Sequence, residues 1–466
     1  MKLERRRFLW QAGAAMAAAW CAPRAVRAEG SEVIRATLTL DRAKKLARLP
    51  ADYTGLSYES AQLANPAFFA RENRELVRLF GELGARGVLR IGGSSSEFTA
   101  FTTKEVSGPP MLETANPGLD KERRSDTPVT IRSLENLRAF LDATGWGCMY
   151  GLNRGRGSVE VAAEEAAYAY KILGPRLIAL QLGNEPDSWK NRYRGADWTY
   201  GDYWKEWIVT RKAVLERVPG AKFAGPDISN KLGYVTGFAA DVKKSAPEVT
   251  MLTSHYYTMG PAGKPGMTID TMLAPDAKLD RTMKIIMEAA RGAGLPYRMC
   301  EGNSCWNGGQ QGASDVHASA LWCVDTMLHL AALGSVGVNL HGGGEGVYAP
   351  IVGGPKQFTR RPVFYGMQMV RPFFGATLVE STLACASDRV RAYVAEKNGA
   401  LMVALVNKTD APVAVQTPLR HARRQWTLSG PSLDARQQTT LTESKPRVLH
   451  RGVLHVEPHA AVLLEA

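Results

Sequence analysis

Two glutamates stand where a charge is costly. Glu185 lies in "QLGNEPD" (181–187), directly after the apolar run "LIAL", and Glu301 lies in "YRMCEGNS" (297–304). A carboxylate at the end of a buried segment needs either a partner or a task. Taken singly, a Glu at a strand end is most often a helix cap or a surface charge. As a pair they have a chemistry available. Two carboxyl groups flanking a glycosidic bond suffice to break it: one, protonated, assists the leaving oxygen, while the other, ionised, attacks or activates water. Burial and mutual repulsion separate their pKa values, so one pair can hold both roles. Asn184, just before Glu185, carries an amide suited to a sugar 2-hydroxyl. Tyr257 in "SHYY" (254–257) could donate to Glu301 and hold it in line. This chemistry requires no metal and no organic cofactor.

Such a pair must be positioned by elements that converge. From about residue 53 to 370, short apolar runs alternate with longer amphipathic stretches. The predicted strands are "TGLSYE" (54–59), "GVLRIGG" (87–93), "GCMYGLN" (147–153), "LIALQLGNE" (177–185), "KFAGPDIS" (222–229), "VTMLTSHYY" (249–257), "PYRMCEGNS" (296–304) and "SVGVNLHGG" (335–343). Helical patterns such as "NRELVRLFGELGA" and "SLENLRAFLDATG" separate them. Apolar strands interleaved with helices argue for a parallel sheet, and eight such units fit a (β/α)8 barrel better than a doubly wound sheet. Active sites in that fold lie at the C-terminal strand ends, which here carry Glu59, the "RIGGSSSEF" loop, Asn153, Asn184, Glu185, Asp227, His255, Tyr257, Glu301 and His341. Glu185 closes the fourth strand and Glu301 the seventh, so the two can face each other over the barrel mouth. Glu59, Asp227 and His341 read on their own as structural.

After about residue 372 the texture changes to short alternating segments with turn residues, which predict an antiparallel β-sandwich. "EVIRATLTL" (32–40) alternates too and precedes the first barrel strand, so it is expected to pair with that sandwich. The expected divisions are a leader over 1–28, a sandwich strand in 29–48, the barrel over 49–371 and the sandwich over 372–466.

At 466 residues, 45% hydrophobic and 22% charged, the composition is ordinary for a globular protein. No apolar run in the body reaches the length of a membrane span. The leader "ERRRFLWQAGAAMAAAWCAPRAVRA" has a basic start, an Ala-rich core and a small-residue end. Arg5-Arg6-Arg7-Phe8-Leu9 looks like a twin-arginine export signal, with cleavage after Ala28 and a periplasmic or secreted destination. The net charge is +13. The leader holds six basic residues against Glu4, so the rest is moderately basic. No Lys/Arg stripe with interleaved aromatics appears, which argues against nucleic-acid binding. The five cysteines beyond the leader are odd in number and lack a CxxC, so neither a zinc site nor a disulfide framework is expected.

The combination of "GLSYE", "VLRIGG", "QLGNEPD", "SHYY" and "YRMCEGNS" resembles the heparanase and β-glucuronidase group, glycoside hydrolase family 79. The resemblance spans the chain beyond the leader and implies a retaining barrel enzyme with an attached β-sandwich. It implies that Glu185 is the acid/base, Glu301 the nucleophile and Asn184 the partner of the 2-hydroxyl. "HGGGEGVYAPI" (341–351) is similar to the family segment that holds a sugar carboxylate, with Gly346 and Tyr348 at the matching spacing. Neutral donors would thus recognise the carboxylate without an arginine beside the nucleophile. "CWNGG" (305–309) is similar to a substrate-contacting loop, although Asn307 stands where the mammalian heparanase pattern has Gly. Glu59, His255, Tyr257 and Gly308 join the expected substrate contacts. The implied partner is a glucuronic-acid-containing glycan or glycoconjugate, and a monomer is expected. Competing expectations are an endo-acting heparanase-like enzyme on heparan sulfate, a retaining glycosidase for neutral sugars, and a non-catalytic glycan-binding protein that keeps the barrel.

Overall fold

The computed structural model describes residues 32–105, 127–342, 346–355, 357–445 and 447–466; the export signal read over 1–28 lies outside the described residues. Eight parallel strands close into a barrel. They are β1 (Thr54–Glu59), β2 (Val88–Gly92), β3 (Gly147–Leu152), β4 (Leu177–Leu182), β5 (Phe223–Ile228), β6 (Val249–Met259), β7 (Tyr297–Cys305) and β8 (Val338–His341). Neighbours in sequence are neighbours in the barrel, and β8 pairs with β1 to close it. Each strand falls inside the segment predicted for it, save that β6 and β7 run on to Met259 and Cys305. The strands are buried on both faces because helices cover the outside, which is why they read as apolar runs without alternation.

Inside the barrel, period-two geometry sorts side chains into layers. Val88, Met149, Ala179, Ala224 and Cys300 form a small apolar cluster separate from the main core. Two residues further along β2 and β4, on the same inward face, stand Arg90 and Gln181. The barrel is therefore apolar in one layer and charged in the next, toward the C-terminal strand ends.

Among the described residues nine further strands form one sheet, with the N-terminal strand Ile34–Arg48 inside it, and three short two-stranded ladders lie outside both. That strand pairs antiparallel with Thr377–Cys385 and parallel with Val413–Gln416, as "EVIRATLTL" led one to expect. The predicted sandwich takes the form of a single sheet that curls over its own inner face. Val403 and Leu405 of one strand join Val413, Val415, Leu454 and Val462 in the enclosed core. The alternate residues Met402, Ala404 and Val406 face the other way, into the core shared with the barrel helices. Strand alternation thus gives the sheet two apolar faces, and one of them is the joint to the barrel.

A buried ion pair crosses that joint. Lys408, directly after the sheet strand Ala400–Asn407, donates from Nζ to Asp325 Oδ2 at 2.6 Å, and Asp325 lies on the barrel helix His317–Ala332. The Tyr393 hydroxyl and the Arg391 guanidinium, 3.7 Å away, face the same carboxylate. Removing one member of a buried pair leaves the other charge uncompensated. Lys408→Met is expected to destabilise the fold by about 3 kcal/mol, seen as a lower midpoint in thermal unfolding. An unchanged midpoint would show that this link contributes nothing to the joint.

Candidate active site

The site is built toward the C-terminal ends of the barrel strands, with the two glutamates carried by the loop after β4 and by β7. After β4, Gly183 turns the chain with φ 90, and a Cβ there would meet the Trp189 ring at 2.5 Å. Glu185 follows in a left-handed conformation, φ 49, before a short 3-10 turn over Pro186–Ser188. Its side chain caps nothing. Its backbone N–H donates to the Asp227 carbonyl at 2.9 Å, and its Oε1 lies 3.0 Å from His255 Nδ1. Asp187 does the capping instead: it accepts from the backbone N–H groups of Ser229, Asn230 and Lys231 and so fixes the loop after β5. A carboxylate at a tight turn was half the puzzle of "NEPD", and the turn duty belongs to Asp187.

Glu301, expected to close the seventh strand, lies inside β7, which runs on to Cys305, and stands opposite His255 in the register with β6. Its Oε1 accepts from the Tyr257 hydroxyl at 2.9 Å, and its Oε2 accepts from Arg90 Nη1 at 2.5 Å. His255 and His341 each approach it to 3.7 Å. Ligand oxygens of Glu185 and Glu301 and the His255 ring lie within 4.8 Å of one another. Environment separates the two carboxyl groups. Burial dominates at Glu185 and raises its pKa; the charge on Glu301 adds to this, while His255 works against it. Burial also opposes ionisation at Glu301, but His255, His341, Arg90 and the Tyr257 hydroxyl together overcome it and hold that carboxyl well below the usual range. One group is poised to stay protonated, the other to stay ionised.

Arg90 is the residue that sequence reasoning missed. It lies in β2, 1% exposed, and its guanidinium donates to five partners and also lies 3.5 Å from His255 Nε2. Nε donates to Gln181 Oε1 at 3.0 Å, Nη1 to Ser57 Oγ at 3.2 Å and to Glu301, and Nη2 to Asn184 Oδ1 at 2.7 Å and to Asp227 Oδ2. The expectation that no arginine stands beside Glu301 is therefore corrected. Burial opposes its charge, yet Asp227 and Glu301 together hold it protonated. The signal was present in "VLRIGG", a single charge in an otherwise apolar strand.

The other predicted residues surround this centre. The oxygen of the Asn184 amide is taken by Arg90, and its NH2 has no partner among the described residues. Glu59 accepts from Ser95 N and Oγ at 2.8 and 2.5 Å and faces His341 Nε2 at 3.5 Å. Tyr348 is buried, with its ring centroid 6.2 Å from that of Tyr257 and 5.9 Å from that of His341. The Gly308 carbonyl accepts from the Tyr348 N–H. A Cβ at Gly346 would touch the Tyr348 ring at 3.0 Å, so these glycines let the two loops close around the tyrosine. A second unpredicted residue is Glu97, whose buried carboxylate accepts from the N–H groups of Asn184, Arg154 and Gly155. Beside Glu185 opens a cleft of about 270 Å³ lined by His255, Tyr257, Ser229, Asn230, Lys278 and Trp306. Two trios, Asp227–His255–Cys300 and Glu185–His255–Glu301, come within metal-ligating reach. The Arg90 guanidinium is already bonded to a carboxylate in each, so a dication would sit against a fixed positive charge, and the donor set does not fit a metal.

No protein-family model matches the chain. It is 26% identical over 383 residues to a β-glucuronidase of Aspergillus niger, covering 75% of this chain and 69% of that one. It is 26% identical over 333 residues to a β-glucuronidase of Neurospora crassa, covering 62% and 56%. The chain is a glycoside hydrolase. Among solved structures, a 4-O-α-L-rhamnosyl-β-D-glucuronidase from Fusarium oxysporum 12S superposes with a TM-score of 0.73 at 15% identity, over 93% of this chain and all of that one. A family 51 arabinofuranosidase from Xanthomonas axonopodis pv. citri gives 0.68 at 15% identity, over 93% and 99%. Both share the fold across both parts of the chain.

Arg90→Lys keeps the charge but loses the fork that binds Glu301, Asn184 and Asp227 together. Turnover is expected to fall by roughly 100-fold or more, with an unchanged circular-dichroism spectrum. Near-full turnover would show the fork to be dispensable.

Proposed function

We propose that the chain is a retaining β-glucuronidase, with Glu185 as acid/base and Glu301 as nucleophile. The observation that carries this reading is the pair of carboxyl groups with ligand oxygens within 4.8 Å. Retaining glycosidases hold theirs about 5–5.5 Å apart, whereas inverting enzymes leave roughly 6.5–9.5 Å for a water. The divergent environments of the two groups support this division of roles.

In the first half-reaction the Glu185 carboxyl gives its proton to the glycosidic oxygen. The bond from that oxygen to the anomeric carbon breaks, and a bond from Glu301 to that carbon forms. In the second, Glu185, now ionised, takes a proton from water as the water attacks, and the bond to Glu301 breaks. Arg90 and Tyr257 stabilise the Glu301 carboxylate as it departs. Because Arg90 takes the oxygen of the Asn184 amide, the NH2 is left to donate to the sugar 2-hydroxyl, where the hydrogen bond strengthens as positive charge develops on the ring. The choice of sugar is supported by the names of the relatives and by the Gly346–Tyr348 loop, whose backbone N–H and hydroxyl would hold the 6-carboxylate. The substrate is then a glucuronic-acid-containing glycan or glycoconjugate, and the leader would deliver a monomeric enzyme to the periplasm or outside.

Glu301→Gln is expected to abolish hydrolysis of an aryl β-glucuronide with the fold intact, and an aryl β-glucoside is expected to be a poor substrate for the wild type. Glucoside hydrolysis at a similar rate would overturn the carboxylate assignment, and turnover by Glu301→Gln would overturn the nucleophile. The pH dependence follows from the shifts. Glu301 must be ionised, and its pKa is lowered; Glu185 must be protonated, and its pKa is raised. A plot of kcat/KM against pH should therefore rise below, and fall above, the ordinary glutamate value of 4.5. A profile already falling below that value would contradict the assignment of Glu185.

A further inference from the structure

Asp227 is the penultimate residue of β5 and only 1% exposed, and it is not among the residues that line the cleft beside Glu185. Its contacts lead to the acid/base from two directions. Its carbonyl accepts from the Glu185 N–H at 2.9 Å, and both residues are in left-handed backbone conformations, φ 62 and 49. Its carboxylate Oδ1 lies 3.2 Å from His255 Nε2, and the other nitrogen of that ring lies 3.0 Å from Glu185. The carboxylate is itself held on every side: Arg90 on Oδ2, and Gln181 Nε2 and Cys300 Sγ on Oδ1, each at 2.6 Å. Glu185, His255 and Asp227 thus form a line from the cleft into the barrel.

We propose that Asp227 is a positioning residue for the acid/base, fixing the main chain of Glu185 through its carbonyl and the Glu185 carboxyl through His255. With Nε2–H committed to Asp227, the imidazole has only Nδ1 to turn toward Glu185, and the two share one proton along that 3.0 Å contact. On the neutral ring, Nδ1 accepts from the protonated carboxyl; on the charged ring, it donates to the carboxylate. The charge on Asp227 strengthens the hold of this pair on its proton. The groups that face the pair are Asp227, Glu301, Arg90 and Cys300 around the ring, and Glu301 and Asp187 around Glu185. Burial alone would disfavour charge on the ring, but the carboxylates outweigh it and raise the His255 pKa.

This inference rests on Glu185 being the acid/base. Its test is Asp227→Asn, compared with wild type on aryl β-glucuronides whose phenols span a range of acidity. For kcat/KM, which reports the first half-reaction, a weakly acidic phenol needs the proton from Glu185 and a dinitrophenol does not. Asp227→Asn is expected to lose at least about tenfold more on the poor leaving group than on the good one. Removing an anion also weakens proton binding, so the falling limb of the pH profile should move down by about 1 pH unit. Equal losses on all leaving groups with an unmoved limb would make Asp227 merely structural and overturn the proposal. Because Asp227→Asn alone could disturb the fold, His255→Gln and the double variant are measured alongside. If Asp227 acts through His255, the double variant is no worse than His255→Gln; additive losses would contradict it. The substrate reading fails separately, if the wild type cleaves some other aryl glycoside, and the comparison is then read on that glycoside.

Discussion

The site depends on burying one guanidinium among carboxylates. Arg90 is a charge in the middle of a parallel barrel, where an isolated ion would cost many kcal/mol. The cost is offset because Asp227 and Glu301 supply opposite charge, and because Gln181, Ser57 and Asn184 satisfy the remaining fork geometry. Five of these six residues come from different strands, and the sixth, Asn184, from the loop after β4. The fork therefore has one productive geometry, set by barrel register: Ser57 stands directly opposite Arg90 across β1 and β2. Geometry of this kind fixes a side chain more tightly than packing alone, since moving any member strands a buried charge.

That rigidity explains how unfavourable backbone is tolerated next to the reacting groups. Glu185 and Asp227 each hold a left-handed conformation without being glycine, at a cost on the order of 1–3 kcal/mol each. Their mutual backbone hydrogen bond and the side chains bound to Arg90 and His255 keep them there. The consequence is that Glu185 leaves the strand aimed across the mouth, with Asp187 turning inward to secure the next loop. The same network sorts the protons: positive groups crowd Glu301, while Glu185 is left with burial as its main influence.

Much of this was legible in the sequence, for reasons that can be named. The barrel showed because parallel strands are buried on both faces, so apolar runs mark them regardless of side-chain detail. The end of β4 showed because Gly183, Asn184 and Pro186 around Glu185 break the run sharply, whereas Gly302, Asn303 and Ser304 after Glu301 stay inside β7, which runs on to Cys305. The bond from Tyr257 to Glu301 followed from placing both at adjacent strand ends. Arg90 was harder: it lies mid-strand, and one-dimensional pattern says a charge is present without saying what it meets. Glu97 was hidden for a similar reason, since its three partners are backbone N–H groups brought together only by the fold. Asp227 read as structural because its significance lies in His255, a strand away. The curl of the sheet escaped because alternation predicts two apolar faces but not whether one sheet or two will cover them.

The central claim is that Glu301 bonds covalently to the sugar while Glu185 does not. It is tested most directly by trapping that bond with a 2-deoxy-2-fluoro β-glucuronide carrying a good leaving group, followed by peptide mass spectrometry. The account predicts one label per chain, on the peptide containing Tyr297–Cys305, located at Glu301. A label on Glu185, or turnover of a normal β-glucuronide with inversion and no trapped adduct, would contradict it.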